Sequence, residues 1–345
     1  MESLGKFPDR FIAEIAGQPD AIRRARTAAL DQAEALSGLA GRPVVFTGMG
    51  SSYDACYPAV TALAGSGVAV TMVDAAELLH FRLPAVTADT LVVCVSQSGR
   101  SAETVRVAER LGERADRPPI LAVTNAPESR LAELCDVHLD TRAGEEHGPS
   151  TMTFAATLVV LDMVATALGA PAADGAGPAA DAAERLIDAA DARASELQER
   201  LGERPMLALL ARGGARAAAE MGALTLKEAA RFPAEALQSA QFRHGPFELA
   251  GPDMAAIVVA TNAATRALDH AMAAELAAAG AAVLVVGPDG DAPGGTVPFA
   301  LGELADRLAP AVAVIPSQLL AWSLARARGL DPGGYSLASK VTERE

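Results

Sequence analysis

The feature that most constrains the fold of this chain is the alternation of short apolar segments with helical ones. Stretches of helical periodicity follow most of the apolar segments; in SAETVRVAERLGERA, for example, Val105, Ala108 and Leu111 share one face. Strands that alternate with helices predict a parallel sheet covered by helices on both faces. The first half contains five such segments: VVFTG (44–48), VAVTMVD (68–74), TLVVCVS (90–96), ILAVTN (120–125) and DVHLDT (136–141).

The second half repeats the first. Val92 and its counterpart Ala256 are 164 positions apart, and Leu121 and Val283 are 162 positions apart. We therefore predict an α/β protein with two tandem three-layer αβα units, each a parallel nucleotide-fold-like sheet flanked by helices. Three pairs of segments carry the repeat: RPVVFTGMGS with RPMLALLARGG, DTLVVCVSQS with DMAAIVVATN, and ILAVTN with AVLVVGP.

The boundaries of these units follow from composition. The stretch APAADGAGPAAD is low in complexity and contains two prolines and two glycines, so we interpret it as the linker between the halves. We predict one helix, DAAERLIDAADARASELQERL, after it. The predicted segments are an N-terminal helix (1–35), a first unit (36–169), the linker (170–184), a second unit (185–330) and a C-terminal tail (331–345).

Charge and composition exclude several classes of function. The formal net charge is −14 over 345 residues, which argues against a nucleic-acid-binding surface. The N-terminal sequence has no apolar signal core, and no stretch approaches the ~20 apolar residues of a membrane span. Cys56, Cys94 and Cys135 lie in apolar segments, as expected for unpaired cysteines in a reducing compartment. We expect a cytoplasmic protein without nucleic-acid or membrane partners.

A cluster of hydroxyls follows the third strand of the first unit. The sequence SQSGRS supplies the hydroxyls of Ser96, Ser98 and Ser101, and Gly99 lets the backbone approach a ligand. Ligands of parallel sheets lie where strand carboxyl ends meet helix N-termini, whose free N–H groups favour anions. Two further hydroxyl-rich turns, GMGSSY (48–53) and HGPST (147–151), would converge on the same ligand. The second unit has ATNAAT instead, so we predict one phosphate site, in the first unit.

Other interpretations of these turns remain open. Serine and threonine before a helix commonly act as N-caps alone. The chain has no GxxxxGK[ST] loop, and GMGSSY departs from GxGxxG, so a nucleotide site has little support. The five histidines show no metal-ligand spacing, and we expect neither a metal nor an organic cofactor. We assign His80, His138 and His270 to structural or surface roles, and we expect His147 to support the turn beside it.

Taken together, GSSYDA, VSQSGRSAET and GPSTMTF resemble the sugar isomerase (SIS) domain family. Their order is similar to that in the isomerase half of the glucosamine-6-phosphate synthases. The resemblance extends through KEAARFPAEALQSAQFRHGPFEL (227–249), the tail LASKVTERE and the early stretch EIAGQPDAI, so it covers nearly the whole chain.

The resemblance implies a role for each matching residue. Glu228 corresponds to the carboxylate that moves a proton between carbons 1 and 2, and His244 to the histidine that opens the sugar ring. In the family this histidine comes from a neighbouring subunit, which implies a homodimer with shared active sites. Lys340, in a tail that reaches the active site, lies near a lysine that can form an imine. The residues implied for phosphate and sugar binding are Ser52, Ser96, Gln97, Ser98, Gly99, Ser101, Gly148 and Ser150.

Elementary chemistry supports these assignments. A carbonyl shift between neighbouring carbons needs one base beside a planar enediol, and a carboxylate with a raised pKa suits this near neutral pH. Histidine titrates in the range needed for ring opening. Considered one at a time, Glu228 and Lys340 match ordinary charged residues on a protein surface, and His244 matches an ordinary residue of a turn. Their joint occurrence in the family order favours catalysis.

Three departures from the synthase pattern refine the prediction. Nothing before residue 40 could house the N-terminal cysteine nucleophile of a glutaminase domain, so we expect no glutamine-dependent amination within this chain. Arg100 replaces an acid and is expected either to contact phosphate or to face solvent. The tail lysine is displaced by one position. The resulting K-V-T form resembles the standalone SIS-type isomerases and amino-sugar-phosphate deaminases, which makes an imine at Lys340 less favoured.

The sequence therefore predicts an enzyme that acts on an amino-hexose 6-phosphate, converting glucosamine 6-phosphate to fructose 6-phosphate and ammonia. Two other enzymatic interpretations remain open: a deglycase for fructosamine-type 6-phosphates and a plain aldose–ketose isomerase. A non-catalytic sugar-phosphate sensor is the alternative from another class. The absence of a basic helix-turn-helix segment and the presence of both Glu228 and His244 favour catalysis.

Overall fold

Two parallel five-stranded sheets form the framework of the protein. They are seen in a computed structural model that describes residues 8–202, 204–337 and 339–344. The strands of the first sheet are β1 (Val44–Thr47), β2 (Val70–Met72), β3 (Leu91–Val95), β4 (Ile120–Thr124) and β5 (Val137–Asp140). Those of the second are β6 (Met206–Ala211), β7 (Ala234–Gln238), β8 (Met254–Val259), β9 (Ala282–Gly287) and β10 (Val297–Ala300).

Fifteen α-helices surround the sheets in the described part of the chain. They are α1 (Arg10–Ala16), α2 (Gln18–Gln32), α3 (Ser51–Asp54), α4 (Tyr57–Gly65), α5 (Ala75–Glu77), α6 (Ala102–Gly112), α7 (Arg130–Leu134), α8 (Met152–Ala167), α9 (Ala176–Ile187), α10 (Ala190–Leu201), α11 (Arg216–Ala230), α12 (Ser239–Phe242), α13 (Arg266–Ala278), α14 (Ala309–Ala313) and α15 (Ile315–Ala327).

The two sheets have the same topology, which confirms the predicted pair of α/β units. The strand order is β2-β1-β3-β4-β5 in the first and β7-β6-β8-β9-β10 in the second, and every pair is parallel. The equivalent central strands are β1 and β6, β3 and β8, and β4 and β9, as the sequence repeat predicts. Strands β3 and β8 are buried along their whole length, because helices cover both faces.

The two units share one hydrophobic core. It runs from Phe46 and Val93 of the first sheet, through helices between the sheets, to Leu209 and Ile257 of the second. Helices α2, α8 and α9 pack together on one side of this layer, and α11 and α15 on the other. Since these helices bury apolar area against both units, the position of each sheet is fixed relative to the other.

The predicted linker contains regular structure. Helix α9 begins at Ala176 and packs against α2, with Ala179, Ala180 and Ala183 buried. Alanine-rich sequence is low in complexity and yet forms helix well, and its small side chains allow close helix packing. The single helix predicted after the linker is divided into α9 and α10.

No helix among the residues that the structure describes is both long and apolar enough to cross a membrane.

The close packing of α11 generates a test of the fold. A methyl group at Gly222 of α11 would lie 2.7 Å from Ser317 Oγ and 2.8 Å from Leu209 Cδ2. We expect G222A to lower the free energy of unfolding by about 1–3 kcal/mol through overpacking. Gly177 of α9 has nothing within 4 Å of the equivalent position. The matched control G177A should therefore raise stability by about 0.5–1 kcal/mol, since alanine favours helix. Urea unfolding of both variants measures the two effects, and equal shifts would contradict this packing.

Candidate active site

Three hydroxyl-rich turns meet at the carboxyl edge of the first sheet. The Ser51 and Ser150 hydroxyls lie 3.0 Å apart, and the backbone N–H of Gln97 donates to Ser52 Oγ at 3.3 Å. The turns border a cavity of about 500 Å³, a size typical of small-molecule sites. Seven of the predicted site residues line it: Ser52, Gln97, Ser98, Ser101, Ser150, Glu228 and Lys340.

N-capping does not explain the hydroxyls of these turns. Helix α3 begins after Gly50, which has no side chain, and α6 and α8 begin after Ser101 and Thr151, neither of whose side chains bonds a backbone N–H of its helix. The Ser101 hydroxyl instead pairs with that of Ser96 at 3.0 Å. The Ser101 hydroxyl, which lines the cavity, therefore does not act as an N-cap.

Two residues of the predicted phosphate turn do not line the cavity. Ser96 is 1% exposed, and its hydroxyl forms a hydrogen bond with the Ser101 hydroxyl from inside the protein. Gly99 adopts φ +60°, and a Cβ there would lie 2.0 Å from Ser129 Oγ. Glycine is required at this position by backbone conformation and by packing inside the protein. Close approach of the Gly99 backbone to a ligand stays a prediction.

Glu228 extends from the last turn of α11 into the cavity. Burial is the largest influence on its carboxyl group and raises the pKa of Glu228 to about 7. The nearby Lys340 opposes this increase, and Glu146 adds to it. A carboxylate with a pKa near 7 can both accept and return a proton at neutral pH, as a proton shuttle requires.

The C-terminal tail forms one wall of the cavity, with residues 334–337 and 339–342. The Thr342 carbonyl accepts a hydrogen bond from Ala102 N–H at 3.0 Å, at the start of α6. Arg100 forms an ion pair with Glu343 at 3.1 Å, with both side chains more than half exposed. Arg100 thus contacts the tail at the surface and does not line the cavity, so of the two roles predicted for it the structure favours the solvent-facing one.

Lys340 reaches from this tail to the loop before α8. Its ammonium group donates to Glu146 Oε2 at 3.0 Å and to the Gly148 carbonyl at 2.8 Å. The Glu146 side chain is fully buried, and the Lys340 side chain is 18% exposed. The lysine is therefore held in a largely desolvated ion pair at the cavity wall.

Sequence reasoning missed two buried carboxylates that shape this loop. Glu146 accepts hydrogen bonds from Thr151 N–H at 2.8 Å and Thr153 N–H at 3.1 Å, so it caps α8 from the preceding loop. Glu14 of α1 accepts from His147 N–H at 2.7 Å and Gly148 N–H at 3.1 Å. The only signal in the sequence for Glu14 was its place in the EIAGQPDAI stretch.

Gly148 and His244 are not brought into the cavity of this chain. The Gly148 N–H and carbonyl are both used within the protein, by Glu14 and Lys340. His244 is exposed in the turn after α12, with its backbone N–H bonded to the Gln241 carbonyl. An exposed position is compatible with the implied role of His244 in a neighbouring subunit, which stays a prediction.

Further charged and polar residues line the cavity without having been predicted. Lys227 is in the last turn of α11, Arg231 is the residue that follows this helix, and Glu103 is in the first turn of α6. Arg231 donates to Ser336 Oγ at 2.8 Å, which connects α11 with the tail. Tyr335 also lines the cavity, and burial raises the pKa of its phenol.

The remaining histidines and cysteines lie apart from this cavity. His138 Nε2 pairs with Thr124 Oγ1 at 2.8 Å, and His147 Nε2 lies 3.1 Å from Glu145 Oε1. Cys56 and Cys94 are buried, and Cys135 is half-buried. Within the described ranges, no group of three or more His, Cys, Asp or Glu side chains is arranged to hold a metal ion.

A known family matches both units of this chain. The family model described as "SIS domain" matches residues 41–167 and 202–293, one segment in each unit. The chain belongs to the SIS domain family. The two matches correspond to the two sheets, so the repeat is a tandem pair of SIS domains.

Individual relatives of these SIS domains are phosphosugar enzymes. The glutamine–fructose-6-phosphate aminotransferase (isomerizing) of Pyrobaculum aerophilum is 33% identical over 99% of this chain. The chain spans 59% of the length of that relative. The C-terminal domain of glucosamine-fructose-6-phosphate aminotransferase from Francisella tularensis has a TM-score of 0.82 at 24% identity, covering 95% of this chain and 98% of that one. Glucosamine-6-phosphate deaminase from Thermotoga maritima has a TM-score of 0.73 at 19% identity, covering 96% and 99%.

The environment of Glu228 predicts a pH-dependent effect on stability. Because its folded-state pKa is raised from 4.5 to about 7, its contribution to stability is fully present below pH 4.5 and is lost as the pH rises through 7. E228Q should therefore be more stable than the wild type at pH 8, by up to about 3 kcal/mol, and the advantage should vanish near pH 4. Urea unfolding across this range, with E235Q at an exposed strand position as the control, measures the difference. A constant difference between pH 4 and pH 8 would contradict the buried environment of this carboxyl.

Proposed function

We propose that this SIS protein is an amino-sugar-phosphate isomerase that releases ammonia, with glucosamine 6-phosphate as substrate and fructose 6-phosphate as product. The observation that carries the proposal is the position of Glu228, a carboxyl with a pKa of about 7, in the same cavity as the serine turns. Such a cavity offers an anion site and a proton shuttle to one small molecule.

The serine turns supply the phosphate end of the site. Ser52, Ser98 and Ser101 offer hydroxyl donors at the carboxyl edge of the sheet, next to the first turn of α6. Helix N-termini and neutral hydroxyls stabilise a phosphate dianion without a fixed cation. Ser150 and Gln97 extend the polar wall toward the sugar. The phosphate would orient the substrate so that its reacting carbons face Glu228.

The proposed reaction has three steps. His244, supplied by the second subunit of a homodimer, moves a proton from the anomeric hydroxyl to the ring oxygen, which opens the ring. Glu228 removes the proton from carbon 2 and returns it to carbon 1, while a second proton passes from the amine nitrogen to the carbonyl oxygen of carbon 1. The aldehyde thereby becomes a hydroxymethyl group, and an imine is left at carbon 2. Water adds to this imine, and ammonia leaves, so that fructose 6-phosphate is formed. These three steps require no cofactor.

The relatives support a phosphosugar substrate. The relatives include both a glutamine–fructose-6-phosphate aminotransferase and a glucosamine-6-phosphate deaminase. The tail form K-V-T, with Lys340, distinguishes this chain from the synthase pattern and favours the deaminase. A deglycase for fructosamine-type 6-phosphates would use the same phosphate and proton-shuttle residues, and it remains the second candidate. We place the enzyme in the cytoplasm.

A substrate panel tests the proposal. The purified protein is offered glucosamine 6-phosphate, galactosamine 6-phosphate, fructosamine 6-phosphate, and fructose 6-phosphate with ammonia, while ammonia and ketose are measured together. We expect ammonia and fructose 6-phosphate in equal amounts from glucosamine 6-phosphate, and no turnover of unphosphorylated glucosamine. Turnover of fructosamine 6-phosphate alone would establish the deglycase instead. Binding of these sugar phosphates without any turnover would favour a sensor and contradict the proposal.

Complementation between variants tests the shared active site. E228Q should lower turnover by about 10²–10⁴-fold, because it removes the base. H244A should also be impaired, through ring opening. If Glu228 and His244 meet across a dimer interface, half of the sites in a mixed dimer contain both intact residues. Unfolding and refolding the two variants together in equal amounts should restore about a quarter of wild-type activity. A mixture no more active than its components would place both residues in one subunit.

A further inference from the structure

The ion pair between Lys340 and Glu146 has a geometry that limits what the lysine can do. An amine forms an imine only through its unprotonated lone pair. The Lys340 nitrogen donates to the Glu146 carboxylate at 3.0 Å and to the Gly148 carbonyl at 2.8 Å. With N–H groups directed at these two acceptors, the Lys340 nitrogen acts as a hydrogen-bond donor to the protein.

Glu146 is itself fixed more firmly than the lysine. Its carboxylate accepts from the backbone N–H groups of Thr151 and Thr153 and from both of their hydroxyls. The side chain is fully buried, whereas Lys340 lies on a tail without regular structure. The start of α8 thus anchors the carboxylate, and the carboxylate anchors the lysine.

The position of Lys340 matters because its charge faces Glu228. Lys340 lowers the pKa of Glu228, whereas Glu146 raises it. Other ionisable groups also face Glu228 from the elements packed around it. They are Tyr335 on the tail and Asp54 on α3, and the same cavity is lined by Lys227 of α11 and by Arg231, which follows that helix.

We propose that Glu146 is a positioning residue, which holds Lys340 as an ammonium ion beside Glu228 and so makes Lys340 a fixed cation rather than an imine-forming amine. The fixed cation stabilises the negative charge that develops on the substrate oxygens when Glu228 removes a proton. The inference concerns the same site as the proposed function and rests on it for the identity of the substrate.

The sequence offers an internal reference for testing this role. The chain contains three lysines, Lys6, Lys227 and Lys340. Lys227 lines the same cavity, is exposed, and has no carboxylate partner within 4 Å among the described residues. Trace acetylation of the native protein at pH 8, followed by full labelling after denaturation and mass spectrometry, gives the relative reactivity of each amine.

We expect Lys340 to react at least about tenfold more slowly than Lys227 in the wild type, since the ion pair withholds its lone pair. E146Q keeps the acceptor oxygen for the α8 N–H groups but removes the charge, and it should raise the reactivity of Lys340 by a similar factor. E145Q changes the neighbouring carboxylate, whose side chain is 84% exposed, and should leave the ratio unchanged. Circular dichroism checks that both variants fold.

Several results would overturn the proposal. Equal reactivity of Lys340 and Lys227 in the wild type would do so without any variant, as would an unchanged ratio in folded E146Q. Reduction with borohydride in the presence of fructose 6-phosphate provides a second measurement on the wild type. A hexose phosphate attached to Lys340 would demonstrate the imine. The absence of an adduct there supports the fixed cation.

Kinetics provide a readout that a purely structural role would not change. Without Lys340 the pKa of Glu228 rises. As the pH is lowered, Glu228 therefore becomes protonated, and stops acting as a base, at a higher pH than in the wild type. In K340M the acid limb of the kcat/KM profile should therefore move to higher pH, and an unmoved limb would contradict the proposal. The labelling results do not depend on turnover. If the protein turned over no substrate of the panel but its Lys340 still reacted slowly, the proposed function would be wrong and the proposal for Glu146 would stand.

Discussion

The parallel pairing of β1 with β3 is the constraint on which the rest of the site depends. Its register places Thr47 beside Cys94, so the two strands end together at one edge of the sheet. The turns that follow must then lie side by side, and the Ser52 hydroxyl bonds the backbone of Gln97 across them. Because the strands are buried on both faces, neither turn can shift without disturbing the core.

The second unit supplies the Glu228 carboxyl group of the cavity, which the first unit lacks. Its own turns have no serine cluster, but α11 extends from it to the cavity of the first unit and places Glu228 there. The close contact of Gly222 with Ser317 and Leu209 sets how near α11 lies to α15 and to the second sheet. The phosphate turns and the carboxyl group therefore come from different halves of the repeat, and packing in the shared helical layer fixes the distance between them.

Electrostatics in the cavity depend on residues far apart in the chain. Glu146 precedes α8, Lys340 lies in the tail, and Glu228 is on α11, and the charges of the first two act on the third in opposite directions. Burial favours the protonated carboxyl and the lysine favours the carboxylate. The near-neutral pKa of Glu228 results from this balance, so the docking of the tail is part of the chemistry of the site.

Local sequence determined the strands of the first sheet, the three central strands of the second, the repeat and the hydroxyl-rich turns, because each depends on periodicity or on residues close together in the chain. The outer strands β7 and β10 were not predicted. The family motifs also identified Glu228 and Lys340, which do line the cavity. Sequence could not reveal that Ser96 and Gly99 support the serine turn from inside the protein without lining the cavity. It also could not reveal that α9 begins within the predicted linker, or that Glu14 and Glu146 accept hydrogen bonds that hold the loop before α8. Those features arise from contacts between residues more than a hundred positions apart or from the choice of hydrogen-bond partner, and only the packed tertiary structure decides which partners meet.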